Sequence, residues 1–163
     1  MQINPTGINN PIFIDTEFTG LNQKMPDLIS IALVPLSGNE FYRELNDFNP
    51  EKCNSWVREN VLAKLGKVMP IDTTMLKIQL LDYLNLHYQG NNENVMICFD
   101  FYGDWQFLLD ILGRDKPNWL KNQNICSVVP DQEEEYSNSH HALHDARRLR
   151  EYYFEACAIN RPD

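Results

Sequence analysis

Phe13-Ile14-Asp15-Thr16-Glu17-Phe18-Thr19-Gly20-Leu21 begins as an apolar strand and ends in a glycine-containing turn. Strand alternation predicts Phe13, Asp15 and Glu17 on one face, and Ile12, Ile14, Thr16 and Phe18 on the other. Two carboxylates side by side on an otherwise apolar strand repel each other unless a cation lies between them. A divalent metal ion is the most economical such cation, because hard cations take carboxylate oxygens as ligands. The other reading of Asp15-x-Glu17 taken alone, and the commoner one for so short a motif, is a strand end whose acids face water.

The strands around it point to a sheet. Leu28-Ile29-Ser30-Ile31-Ala32-Leu33-Val34 is a nearly unbroken apolar run, expected of a strand covered on both faces. Ser37-Gly38-Asn39 is a tight turn, and the alternation over Glu40 to Leu45 predicts a third strand hairpinned to the second. Three strands joined by short turns make this half at least partly antiparallel.

Helical spacing then takes over. A helix is expected from Pro50 to Leu65 with Gly66 as its cap, and another starts at Asp72 with Met75, Ile78, Leu81, Leu84 and Leu86 as its apolar positions. Asn94 to Phe101 reads as a fourth strand and Asp104 to Leu112 as a helix. Pro117 to Asn124 reads as a connector and Ile125 to Val129 as a fifth strand. An acidic run, Asp131 to Ser139, precedes a last helix from His141 to Ile159. That helix has the stripe Ala142, Ala146, Leu149, Tyr153 and Ala156, in steps of four and three. The order predicts one α/β domain over residues 1–163, a mixed five-stranded sheet flanked by helices.

Composition narrows the function classes. The 14 Lys and Arg against 23 Asp and Glu leave a formal charge of −9, wrong for a protein that coats long duplexes through phosphate contacts. A short single strand needs few such contacts, so a nucleic-acid enzyme stays open. The four cysteines have no Cys-x-x-Cys spacing, which argues against zinc and reads as reduced thiols. No apolar run has membrane-spanning length and the start lacks a signal core, so a cytoplasmic protein is expected.

Two further acidic positions are placed to join Asp15 and Glu17. One is in Cys98-Phe99-Asp100-Phe101-Tyr102-Gly103-Asp104-Trp105, where a strand ends and a helix opens. The other is in His140-His141-Ala142-Leu143-His144-Asp145-Ala146, at the edge of the acidic run, with Ser139 as a plausible cap. An Asp at a helix start is often only a cap, so Asp104 by itself carries two readings.

Together these segments resemble the DEDD superfamily of 3′→5′ exonucleases, in its histidine-bearing subclass (DEDDh). That family shows Asp-x-Glu on its first strand, an Asp at a mid-chain helix start, and His-x-Ala-Leu-x-Asp-Ala near its C-terminus. Here the last pattern is met by His140, Ala142, Leu143, Asp145 and Ala146, and Thr19-Gly20-Leu21 fits the tail of the first. Trp56-Val57-Arg58-Glu59-Asn60-Val61-Leu62 looks most like small bacterial exoribonucleases of the RNase AS kind, with oligoribonuclease a near relative.

The resemblance implies an RNase H-like fold and removal of 5′-mononucleotides from the 3′ end of single-stranded RNA by a homodimer. It implies two divalent ions, Mg²⁺ or Mn²⁺, about 3.5–4 Å apart. Asp15, Glu17, Asp104 and Asp145 would be the ligands and His140 the general base. Phe18, Thr19, Gly20 and Leu21 would receive the terminal nucleotide, with Leu21 wedged beside its base. Asp100 competes with Asp104 for the middle role; the spacing Asp104-x-x-x-Leu108 favours Asp104. His141, His144 and Trp105 read as structural or solvated. Arg147, Arg148 and Arg150 read as a solvated face near enough to attract phosphate. A DNA exonuclease and a non-catalytic nucleic-acid-binding module are the alternatives on the same fold.

Overall fold

The computed structural model describes residues 8–91, 93–130 and 140–159. Ser139 and the acidic run from Asp131 lie outside the described residues. Five strands form one sheet: β1 (Pro11–Phe18), β2 (Leu28–Pro35), β3 (Phe41–Glu44), β4 (Val95–Phe99) and β5 (Leu120–Asn124). Their order is β3-β2-β1-β4-β5, with β1, β2 and β3 antiparallel and β4 and β5 parallel to β1. Helices α1 (Ser55–Asn60), α2 (Thr73–Asn91), α3 (Tyr102–Leu112) and α4 (Ala142–Ile159) flank it. This is the mixed α/β architecture of an RNase H-like fold.

Alternation in β1 divides the molecule. Ile12 and Ile14 join Ile31, Leu33, Ile97 and Phe99 in a core closed by Leu76, Leu80 and Leu84 of α2 and Leu108 and Leu112 of α3. On the opposite face Phe13 packs with Cys98, Leu149 and Tyr153, while Ala32 and Val34 receive Ala142 and Ala146. The small residues of the α4 stripe let that helix sit close to β2. Near the end of β1 the register shifts: Glu17 opposes Ser30 but Phe18 opposes Leu28, leaving Ile29 over as a bulge. Bulges re-aim side chains at strand ends. Here Ile29 turns to the cluster with Cys53, Val57 and Val61, which brings the α1 segment against the end of β1.

Three expectations are corrected. The fifth strand is Leu120–Asn124, with Cys126–Val128 a 3₁₀ turn. Residues 50–65 are not one helix: a 3₁₀ turn at Pro50–Lys52, α1, and a second 3₁₀ turn at Leu62–Lys64 follow one another. The break has a local cause, since the Asn54 side chain accepts the Val57 N–H at 2.9 Å and starts a new helix there. Asp72 does cap α2, its carboxylate accepting the Met75 N–H at 2.7 Å. The buried stripe of α2, however, is Leu76, Leu80 and Leu84, while Met75, Ile78 and Leu86 are exposed.

Candidate active site

The ends of β1 and β4 and the starts of α3 and α4 meet at one cavity of about 470 Å³. Asp15, Glu17, Asp100, Asp104, His140 and Asp145 line it, with Phe18, Gly20, Leu21, Asn54, Trp56 and Phe101 completing the wall. Asp15, Glu17 and Asp145 each offer a carboxylate oxygen, and these oxygens all lie within 4.8 Å of one another. Four chain segments separated by up to 130 residues (Asp15 to Asp145) thus deliver carboxylates to one place.

Asp104 comes from the other side of the sheet. Phe101, not Asp104, is the N-cap residue of α3, and Asp104 sits in the first turn. Its Oδ1 accepts the Thr16 hydroxyl at 2.7 Å and the Thr16 N–H at 3.1 Å, while its buried Oδ2 has no protein donor. The capping reading therefore fails: the carboxylate leaves its own helix and is held by β1. Asp145 is arranged similarly, its Oδ2 accepting the His141 N–H at 3.1 Å and its buried Oδ1 having no protein donor. Asp100, by contrast, is partly exposed and accepts the N–H of its neighbour Phe101 at 2.9 Å.

The charges are severe. Burial, then the charges of Asp104, Glu17 and Asp145, hold the Asp15 carboxyl well above the usual range. Burial, then Asp145 and Asp104, push Glu17 up to about 8. Burial is the main cause that raises Asp104 to about 8, against the lowering by its Thr16 hydrogen bonds. Among the described residues, Lys64 alone opposes the rise at Glu17, too little to offset burial and the neighbouring carboxylates. Buried oxygens without donors, carboxylates within ligand distance and hard-oxygen chemistry all fit divalent cations.

His140 stands on the cavity wall at φ +38, a left-handed backbone conformation uncommon for non-glycine residues, although histidine is among those that adopt it more readily. Its ring meets Trp56 edge-on, with centroids 4.5 Å apart. His141 is buried, stacked on Tyr42 at 5.0 Å, whereas His144 is exposed. Trp105 belongs to the core beside Phe99. Arg147 is partly exposed but ion-paired: its guanidinium grips Glu40 at 2.5 and 2.9 Å, and Arg150 pairs with the same carboxylate at 3.5 Å.

The expected nucleotide-binding run divides in two. Phe18 lines the cavity and packs on Phe101 and Phe107, and Leu21 stands 74% exposed at its mouth. Gly20, at φ +144, occupies a conformation that L side chains rarely adopt. Thr19 faces inward instead. Its hydroxyl donates to Gln23 Oε1 at 2.9 Å and accepts the Asp27 N–H at 3.0 Å, locking the turn that presents Gly20 and Leu21. Thr16, Asn54 and Phe101 were not expected at the site. Trp56, noted in the sequence only within the exoribonuclease-like segment and given no site role there, is half-exposed beside His140.

No family model matches the chain. The 3′-5′ exoribonucleases of two Mycobacterium tuberculosis strains, CDC 1551 / Oshkosh and H37Rv, are each 45% identical to it over 53 residues, 32% of this chain. The match spans 31% of the length of those curated relatives. Over that portion the chain is similar to 3′-5′ exoribonucleases.

Proposed function

We propose that the protein is a metal-dependent 3′→5′ exoribonuclease acting on single-stranded RNA. The observation that carries this reading is the convergence of Asp15, Glu17 and Asp145 within 4.8 Å, with the orphaned Oδ2 of Asp104 and His140 on the same cavity. The partial likeness to named exoribonucleases supports it.

Asp15, Glu17, Asp104 and Asp145 would hold two divalent ions, Mg²⁺ or Mn²⁺. When bound, such ions neutralise phosphate charge and make a bound water more acidic. The chain's own residues supply the rest. Phe18, Leu21 and Trp56 offer apolar and aromatic surface to the terminal base, and Gly20 lets the strand approach the turn. A ring nitrogen of His140 takes a proton from the attacking water. The water oxygen bonds to phosphorus as the bond to the penultimate 3′ oxygen breaks. That oxygen leaves protonated by solvent, and a 5′-mononucleotide is released. Four carboxylates against two dications approach electrical balance, which accounts for a cluster that repels itself when metal-free.

A short 5′-labelled RNA and the DNA of the same sequence, each with Mg²⁺, Mn²⁺ or chelator, test the reading. RNA should shorten stepwise from its 3′ end, with metal only; the shortening should be lost in Asp15→Ala and fall about a hundredfold or more, to a residual measurable rate, in His140→Ala. Preferential attack on DNA keeps the site and changes the substrate. No hydrolysis of either overturns the enzymatic reading and leaves a binding module.

A further inference from the structure

Glu44, on β3, is 2% exposed, yet the register sets it outside the carboxylate cluster. It opposes Ser30, which opposes Glu17, so it lies two strand spacings away, about 10 Å. A carboxylate this deeply buried needs hydrogen-bond donors. Its Oε1 accepts the Tyr42 hydroxyl at 2.9 Å and the Lys67 N–H at 3.1 Å, and its Oε2 accepts the Gly66 N–H at 2.7 Å.

These donors lead to two different walls of the cavity. Gly66 and Lys67 follow directly on the segment whose Trp56, Val57 and Val61 line the site. Tyr42 stacks on His141, the residue after His140, and the His141 N–H holds Asp145. The two walls touch where Trp56 meets His140 edge-on at 4.5 Å. His140 itself sits at φ +38, so its placement depends on what holds its neighbours.

We propose that Glu44 is a positioning residue that fixes the Trp56 wall and the His140 backbone relative to each other, and through them the ring of His140. The proposal rests on the general-base role read for His140 above. Without the carboxylate, Gly66, Lys67 and Tyr42 lose a common acceptor, and the direct polar link between the two walls is removed while their packing on β2 remains.

The test measures hydrolysis of a short RNA by the full chain carrying Glu44→Gln or Tyr42→Phe, each with His140 intact and with His140→Ala. Both variants should lower kcat about tenfold at unchanged KM, since small misplacements of a catalytic group are costly. Mn²⁺ affinity, read by calorimetry, should fall less than about threefold, because the His141 N–H to Asp145 bond lies within the start of α4; a loss as large as that in kcat overturns the proposal by placing the effect on Asp145. In the His140→Ala background the same substitutions should change kcat less than about twofold, because no base remains to be positioned. Equal losses in both backgrounds, or a lower melting temperature with kcat intact, overturn the proposal and make Glu44 purely structural. Tyr42→Phe removes only a hydroxyl and keeps the test sound if Glu44→Gln folds poorly.

A separate readout needs no activity. The Trp56 indole N–H resonance senses the His140 ring and should move in Glu44→Gln; an unmoved resonance overturns the anchor. If wild-type protein hydrolyses nothing, or His140→Ala is fully active, the functional reading fails, and the indole resonance still decides the proposal about Glu44.

Discussion

Asp104 and Asp145 occupy equivalent places on opposite sides of the sheet, and they are held in opposite ways. Each lies in the first turn of its helix, and each has one hydrogen-bonded and one orphaned oxygen. Asp145 is held by its own helix start, through the His141 N–H four residues earlier. Asp104 is held by another element, through Thr16 88 residues earlier. Local fixation means that, among the described residues, no strand residue bonds the Asp145 carboxylate directly; the sheet reaches it only through the packing of α4 and His141. Tertiary fixation couples Asp104 to the register of β1, and so to the strand that carries Asp15 and Glu17.

The largest effect expected is common to both. Asp104→Asn and Asp145→Asn should each reduce metal-dependent hydrolysis about 10³-fold, equivalent to ~4 kcal/mol of transition-state stabilisation. Initial rates at saturating Mg²⁺ and Mn²⁺ check this. An asymmetric outcome, with one variant nearly active, would show that only one side of the sheet supplies an essential ligand.

Next comes the metal-free protein, in which Glu17 and Asp104 keep their protons up to about 8 while the unfolded chain releases them near 4.5 and 3.8. The folded state then binds more protons than the unfolded one, and stability falls as pH rises. The contribution is complete below about pH 4 and is lost as pH climbs through 8. Thermal melts in chelator should decline across that window. Asp104→Asn should flatten the decline and, at pH 8, melt above metal-free wild type, at roughly 2–4 °C per kcal/mol for a chain of this size. Mg²⁺ should reverse the trend most strongly at high pH, where protons compete least for the ligands.

The same contrast explains what was legible in the sequence. Asp145 could be found because its determinants are contiguous: the apolar stripe of α4 sets the helix phase, and His141 lies one turn before it. The hairpin of β2 and β3 was legible for the same reason, a turn between patterned runs. Asp104 was recognisable as a candidate, but its bond to Thr16 was not, because nothing near either residue encodes the other. β5 was misplaced because Leu120-Lys121-Asn122-Gln123-Asn124 has one apolar residue; as an edge strand it is defined by backbone pairing to β4. In α2, apolar residues occur all round, so periodicity admitted two phases and the sheet chose Leu76, Leu80 and Leu84. Thr19 was placed beside the nucleotide by the resemblance, through its backbone next to Gly20; the hydrogen bonds of its hydroxyl within the turn were not legible.

A smaller effect should follow from cutting the tertiary tie alone. Thr16→Val deletes the hydroxyl at 2.7 Å from Asp104 and keeps the backbone N–H. Hydrogen bonds to charged groups contribute roughly 1.5–3 kcal/mol. Its loss should raise the Asp104 carboxyl further, weaken Mn²⁺ binding about tenfold and leave Asp145 unaffected. Thr16→Ser should restore wild-type affinity, and equal affinity in Val and Ser variants would remove the tie from the account.

The smallest effect separates the two candidates for the middle ligand. Asp100 lines the same cavity and adds to the repulsion that raises Asp15 and Asp104, but it is partly exposed and its Oδ1 is bonded beside its own backbone. Asp104 is buried, tied to β1, and has an oxygen with no protein donor. A carboxylate that is not a metal ligand should be dispensable when metal is bound. Asp100→Asn should therefore stay within about threefold of wild-type activity, in contrast to Asp104→Asn. Because one negative charge is gone, the metal-free stability decline should also move to slightly lower pH, as Asp104 and Asp15 come down with it. A loss in Asp100→Asn as deep as in Asp104→Asn would make the strand end, not the helix start, the source of the ligand. The orphaned Oδ2 of Asp104 would then need a partner other than a metal ion.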